Sequence, residues 1–259
     1  MIEEPYRWVE AIANRREYIE TQLASGSPIV AVSYVDGILF LTFGRSRQKI
    51  FEIYDRIAMG AIGHPGDIER LRMAAIELAS TEGFTRSAAD VSLRRLVHYS
   101  LSPVMKGAFE QVYGPPYLAR LLFAEVGANP EEDLFLQVDY DGSIGINGAV
   151  SSQRSRQFTG LTPNRKSAEW MQQFIEKEYR ADLGLDQAVK LARDAWVVGQ
   201  MAVGEDPVKE LPDRAVIDKQ RQERFAGRGL EAAVLEREHK SPIRYRALSA
   251  KETESLGEK

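Results

Sequence analysis

The chain has 259 residues, 44% of them hydrophobic and 28% charged, which suits one globular domain with a sizeable core. A formal charge of -4 and a pI near 5.6 argue against a dedicated nucleic-acid binder, whose phosphate contacts need a basic surface. With no cysteine, disulfides, thiol catalysis and thiolate metal sites are excluded.

Met1, Ile2, Glu3 and Glu4 form neither a basic start nor an apolar core, so no secretory signal is expected. No apolar run is long enough to cross a bilayer, and a cytoplasmic protein without a membrane partner is the expectation. Over residues 5–24, Trp8, Ile12, Ile19 and Leu23 share one stripe of a predicted helix. Pro5 suits its first turn, and Gly26 is a plausible stop.

Two hydrophobic runs follow, joined at Val35-Asp36-Gly37-Ile38, where Asp-Gly predicts a two-residue hairpin. Ile50–Ile53 and Ile57–Ile62 predict a second pair of strands around Tyr54-Asp55-Arg56. Gly60–Gly66 is glycine-rich and runs from strand to helix. It lacks the Gly-Lys-Ser/Thr ending of a phosphate loop, so its glycines are read as permitting a tight turn.

The period then changes. Ile68, Leu71, Ala75, Ile76 and Ala79 predict a helix ending at Glu82-Gly83. A second helix is predicted from about Ser87, burying Leu93, Leu96, Val97, Leu101, Val104, Met105 and Phe109, with a kink at Pro103. Strand patterns return at 117–126 and 134–140, with another Asp-Gly hairpin at Asp141-Gly142. Two helices are expected near 164–179 and 186–203. Residues 205–228 read as a charged linker or loose helix, and 230–235 and 243–248 as two final strands before a frayed end.

Hairpin strands alternating with helix pairs argue against a doubly wound parallel sheet. They predict an α+β fold, a four-layer αββα sandwich of two antiparallel sheets flanked by helix pairs. The sandwich is expected over residues 1–204, with the linker at 205–228 and packed strands plus the frayed end over 229–259.

Few residues announce chemistry. His64, His98 and His239 fall in unrelated contexts without metal-ligand spacing, so no metal or cofactor is expected. Arg45, Arg47 and Lys49 form a small basic cluster, either a solvated strand edge or a receiver of carboxylate or phosphate. Glu131-Glu132-Asp133 is an acidic loop and no evident acid–base pair. Trp170, Phe174 and Tyr179 read as helix-packing residues, and no Ser-His-Asp triad can be assembled from position.

The element order, with Gly26-Ser27 before the first hairpin and Gln48-Lys49-Ile50-Phe51-Glu52-Ile53-Tyr54-Asp55-Arg56-Ile57-Ala58 after it, resembles the proteasome core-particle fold of the N-terminal-nucleophile hydrolases. That last segment is especially similar to bacterial, actinobacterial-type proteasome α subunits. The likeness continues through Phe123–Gly127, Tyr140–Ile144, the helix from Ser167 to Tyr179 and the tail strands Leu230–Leu235 and Arg244–Leu248.

Two roles compete within this family. Catalytic β subunits lose a propeptide after a glycine and attack with an N-terminal hydroxyl whose own amino group is the base. Ser27 aligns with that nucleophile and Gly26 with the cleavage glycine, so a self-processing peptidase losing residues 1–26 is the alternative reading. Three departures oppose it: no carboxylate near Thr42-Phe43-Gly44, Pro28 directly after Ser27, and Val197 where the supporting serine belongs beside Asp194 in Arg193-Asp194-Ala195-Trp196-Val197.

The resemblance to α subunits implies a non-catalytic role in a homo-heptameric ring that caps β subunits. It implies a gate made by Met1, Ile2, Glu3, Glu4, Pro5 and Tyr6, and a pocket of Lys49 and Gly26. That pocket would receive the terminal carboxylate of a hexameric AAA ATPase or another activator. The implied substrates are unfolded proteins, tagged by a ubiquitin-like protein.

Overall fold

A computed structural model describes residues 5–45, 47–111, 113–146, 157–202, 211–238 and 240–256. The elements run α1 (Pro5–Leu23), β1 (Ile29–Tyr34), β2 (Gly37–Gly44), β3 (Ile50–Tyr54), β4 (Ile57–Gly63) and α2 (Pro65–Thr85). Then come α3 (Leu93–Arg95), α4 (Ser102–Glu110), β5 (Ala119–Glu125), β6 (Leu134–Val138), β7 (Ile144–Ile146) and β8 (Phe158–Leu161). The chain continues through α5 (Arg165–Glu178), α6 (Leu185–Met201), α7 (Arg214–Phe225), β9 (Gly229–Glu236), β10 (Tyr245–Ala247) and α8 (Ala250–Ser255).

The strands form two antiparallel five-stranded sheets, ordered β10-β9-β2-β1-β8 and β3-β4-β5-β6-β7. The expected αββα sandwich is present, because each sheet buries both faces. Ile29, Ala31, Ile38 and Phe40 of the first sheet meet Ile50, Ala58, Leu122 and Phe135 of the second. Their neighbours Val30, Val32, Leu39 and Leu41 point outward to Phe174, Ile175 and Trp196 on α5 and α6. On the far side Met59, Ala61 and Phe123 pack against Leu71, Ala75 and Met105. Alternating side chains on fully buried strands thus supply both the inter-sheet core and the seat for each helix pair.

Several local expectations are corrected. The first hairpin closes one residue early, pairing Tyr34 with Gly37 and leaving Val35 and Asp36 as the loop. Gly37 serves a neighbour instead, since a Cβ there would lie 2.0 Å from the carbonyl oxygen of Leu235 on β9. The second helix of the first pair starts at Leu93, and a π-helical turn over Leu96–Leu101 precedes α4. Pro103 offers no N–H and its ring crowds the preceding turn, so the helix widens ahead of it. Val104, expected inside, is exposed.

In the stretch read as a charged linker or loose helix, residues 214–225 form α7, which buries Ile217 against the first sheet's helix layer. The end read as frayed includes α8, held by Arg246 between Glu236 and Glu252 at 2.7 and 2.8 Å. On α1, Ile19 and Leu23 are buried whereas Trp8 is 44% exposed, so only the C-terminal half of the expected stripe is covered.

Candidate functional site

Ser27 follows α1 and stands at the entrance to β1, 8% exposed. Its hydroxyl donates to the Phe43 carbonyl at 2.6 Å and accepts from the Trp196 indole N–H at 3.1 Å. The neighbouring Thr42 donates to the Pro28 carbonyl at 2.6 Å. Both polar side chains are therefore spent on joining the start of β1 to the end of β2. No carboxylate contacts the Ser27 hydroxyl among the described residues.

Gly26, Ser27 and Lys49 line one cavity of about 690 Å³, together with Arg45, Arg47 and Arg228. The loop from β2 to β3 supplies the three central cations, and the start of α2 supplies Pro65 and Ile68 as an apolar wall. Gly26 has no room for a side chain: a Cβ would fall 2.4 Å from Cγ2 of Ile62. His64 caps α2 by accepting the Gly66 N–H at 3.2 Å, a structural use of the side chain rather than a metal-binding one.

Lys49 is the most perturbed cation of the group. Burial pulls its ammonium down, Glu231 partly opposes, and Arg228 adds to the fall, leaving its pKa at about 8. Glu231, on β9, spends its carboxylate on the backbone: the Lys49 N–H at 2.9 and 3.0 Å and the Ile50 N–H at 2.8 Å. Burial raises the Glu231 carboxyl, while those N–H groups and Lys49 pull it down less. Among the described residues no carboxylate lies within ion-pair distance of the Lys49 ammonium.

Asp194 is 1% exposed and pairs with Arg221 and Arg214 of α7, each at 2.6 Å. It clamps α7 onto α6, and Arg224 adds a bond to the Gln200 carbonyl at 2.9 Å. The Arg228 guanidinium, just beyond α7, lies 5.3 Å from the Trp196 ring centre. Reading the sequence alone missed Arg228 and Glu231 as parts of this site. Their only signal was polar character near a tail strand, which says nothing about which loop they face.

The remaining expectations fall elsewhere. Met1, Ile2, Glu3 and Glu4 lie outside the described residues, while Pro5 and Tyr6 begin α1. His98 is exposed on the π turn, and His239 lies outside the described residues. Among the described residues no group of three or more His, Asp or Glu side chains could hold a metal ion, and no helix is long and apolar enough to cross a membrane.

A family model described as "Proteasome subunit" matches residues 24–160. A protein called proteasome subunit alpha from Kineococcus radiotolerans is 30% identical over 222 residues, covering 83% of this chain and 88% of its own. The protein of that name from Acidothermus cellulolyticus is 30% identical over 235 residues, 88% of this chain and 93% of the relative. The one from Streptomyces scabiei is 31% identical over 232 residues, 86% and 88% respectively.

Proposed function

The chain belongs to the proteasome subunit family and is of the α type, and from that premise we propose that it is a non-catalytic ring subunit whose Lys49 cavity docks a regulatory ATPase. Copies of the chain form a homo-heptameric ring that caps rings of β subunits in the cytoplasm. Residues 1–6 gate the entrance, and unfolded, ubiquitin-like-protein-tagged substrates are cut by the β partners.

The observation that carries this reading is the Lys49 ammonium, partly withdrawn from water at a 690 Å³ cavity and, among the described residues, without a carboxylate at ion-pair distance. A cation in that state gains more from an arriving carboxylate than a solvated lysine does, because part of its desolvation has already occurred. The bidentate hold of Glu231 on the adjacent backbone fixes where the ammonium starts from. An activator's C-terminal carboxylate is a ligand of the right charge and size.

The self-processing alternative would need Ser27 to pass its proton to a base. Its hydroxyl hydrogen instead points to the Phe43 carbonyl, and its lone pair is taken by Trp196. Both readings meet one experiment on the core particle assembled with its β subunit. Lys49→Ala lowers ATPase-stimulated protein degradation by about tenfold or more, with unassisted hydrolysis of a small peptide as reference. Unchanged ATPase coupling sinks the docking role. The intact mass of the assembled chain retains residues 1–26, and their loss together with a Ser27-dependent activity would establish the peptidase instead.

A further inference from the structure

Four cations, Arg45, Arg47, Lys49 and Arg228, line the Lys49 cavity, and none of them makes an ion pair among the described residues. The acids close by are already committed. Glu69 is bound by Arg72 at 2.6 and 2.9 Å, and Glu231 is bound by backbone N–H groups. One terminal carboxylate cannot neutralise such a set.

Arg228 is the cation the fold holds in place. Asp194 clamps α7 through two arginines, and the Ala226-Gly227 turn, with Gly227 at φ +70°, carries the chain directly to Arg228 and β9. Trp196 lies beneath the guanidinium, and among the described residues no hydrogen bond occupies the Arg228 side-chain donors. Burial together with Arg45 and Arg224 pushes the Arg228 pKa down, the signature of a cation facing cations. Ile62, Pro65 and Ile68 contribute hydrocarbon to the same lining.

We propose that Arg228 is a second anion-binding side chain of this cavity, selecting peptide C-termini that carry an Asp or Glu among their last few residues. The terminal carboxylate goes to Lys49, the acidic side chain to Arg228, and an apolar neighbour of the peptide to the Ile62–Ile68 wall. The inference rests on the docking role of Lys49. A peptide fits this lining better than an inorganic anion does. The N–H groups of Lys49 and Ile50 are taken by Glu231 and that of Gly66 by His64, which leaves few backbone donors to cradle a phosphate.

The test measures fluorescence anisotropy of labelled octapeptides on the assembled core particle. Three peptides share an apolar body and differ only in a Glu, a Gln, or a Glu with an amidated C-terminus. On the unsubstituted particle the Glu peptide binds about five- to tenfold tighter than the Gln peptide. Arg228→Gln removes that preference while Gln-peptide affinity stays within about twofold, and Arg228→Lys keeps part of it. Equal binding of the Glu and Gln peptides to the unsubstituted particle, a comparison that needs no variant, overturns the proposal. So does a preference that survives Arg228→Gln, or displacement by inorganic phosphate as effective as by the Glu peptide. The parent reading fails separately: amidation without effect removes the Lys49 role, whatever the Glu-to-Gln ratio.

Discussion

Arg120 and Lys49 are both cations drawn out of water, yet they end in opposite electrostatic states. Arg120, 4% exposed, is enclosed by Asp139 at 2.9 Å, Glu20 at 2.5 Å and the Pro163 carbonyl. Tyr140 completes the group by donating to Glu20 at 2.8 Å. Burial works against the Arg120 charge, but Asp139, Glu20 and Tyr140 outweigh it, so its pKa sits above the usual arginine value. At Lys49 the same burial meets no acid within ion-pair distance among the described residues, and the pKa falls to about 8. One cation completes the fold by tying α1 to β5 and to the turn after β6, and the other is left with binding capacity unspent.

If that contrast is right, removing Arg120 has the largest cost. Arg120→Met leaves Asp139 and Glu20 without their shared partner and lowers unfolding free energy by about 3 kcal/mol or more in a denaturant titration. A change below about 1 kcal/mol would mean the network is solvated and the contrast false.

Glu231→Ala comes next. It strips the acceptor from the Lys49 and Ile50 N–H groups, the second at a fully buried residue, and costs roughly 2 kcal/mol. It also loosens the loop that carries Lys49, so peptide binding weakens along with stability. A stability loss with unchanged peptide affinity would separate Glu231 from the site.

Lys49 itself gives the smallest stability effect and the clearest pH dependence. Its folded pKa, about 8, lies below the 10.5 of an unperturbed lysine. The folded state therefore holds its proton less tightly than the unfolded chain does. The resulting penalty is full below pH 8 and fades as pH rises from 8 through 10.5. The unsubstituted protein should gain stability over that window relative to Lys49→Met, while its affinity for a peptide carboxylate falls as the ammonium is lost. Thermal melts and peptide titrations across the same pH range read the two opposing trends. Parallel trends would show that another group titrates there.

Much of the architecture was legible along the chain because it is written in local periods. The hairpins near residues 36 and 142, the helical spacing from Ile68 to Ala79 and the paired helices after Gly160 all depend on neighbours within a turn or two. Lys49 stood out within a basic cluster whereas Ser27 and Gly26 gained a role only through resemblance, and all three line one cavity. The misread turn at Asp36-Gly37 shows the limit of local rules, since Gly37 answers to the backbone of β9, far away in sequence.

Composition and periodicity by themselves determined the αββα class, the absence of thiol chemistry and the lack of any histidine metal spacing. Tertiary structure alone decided which polar groups are used up and which are left over. The placement of β9 beside β2 brings Glu231 onto the Lys49 backbone from 182 residues away. The clamp of α7 on Asp194 brings Arg228 to the same cavity. Sheet order and helix docking are non-local, set by the burial of whole faces, so no spacing along the chain reveals that Ser27 is satisfied and Lys49 is not.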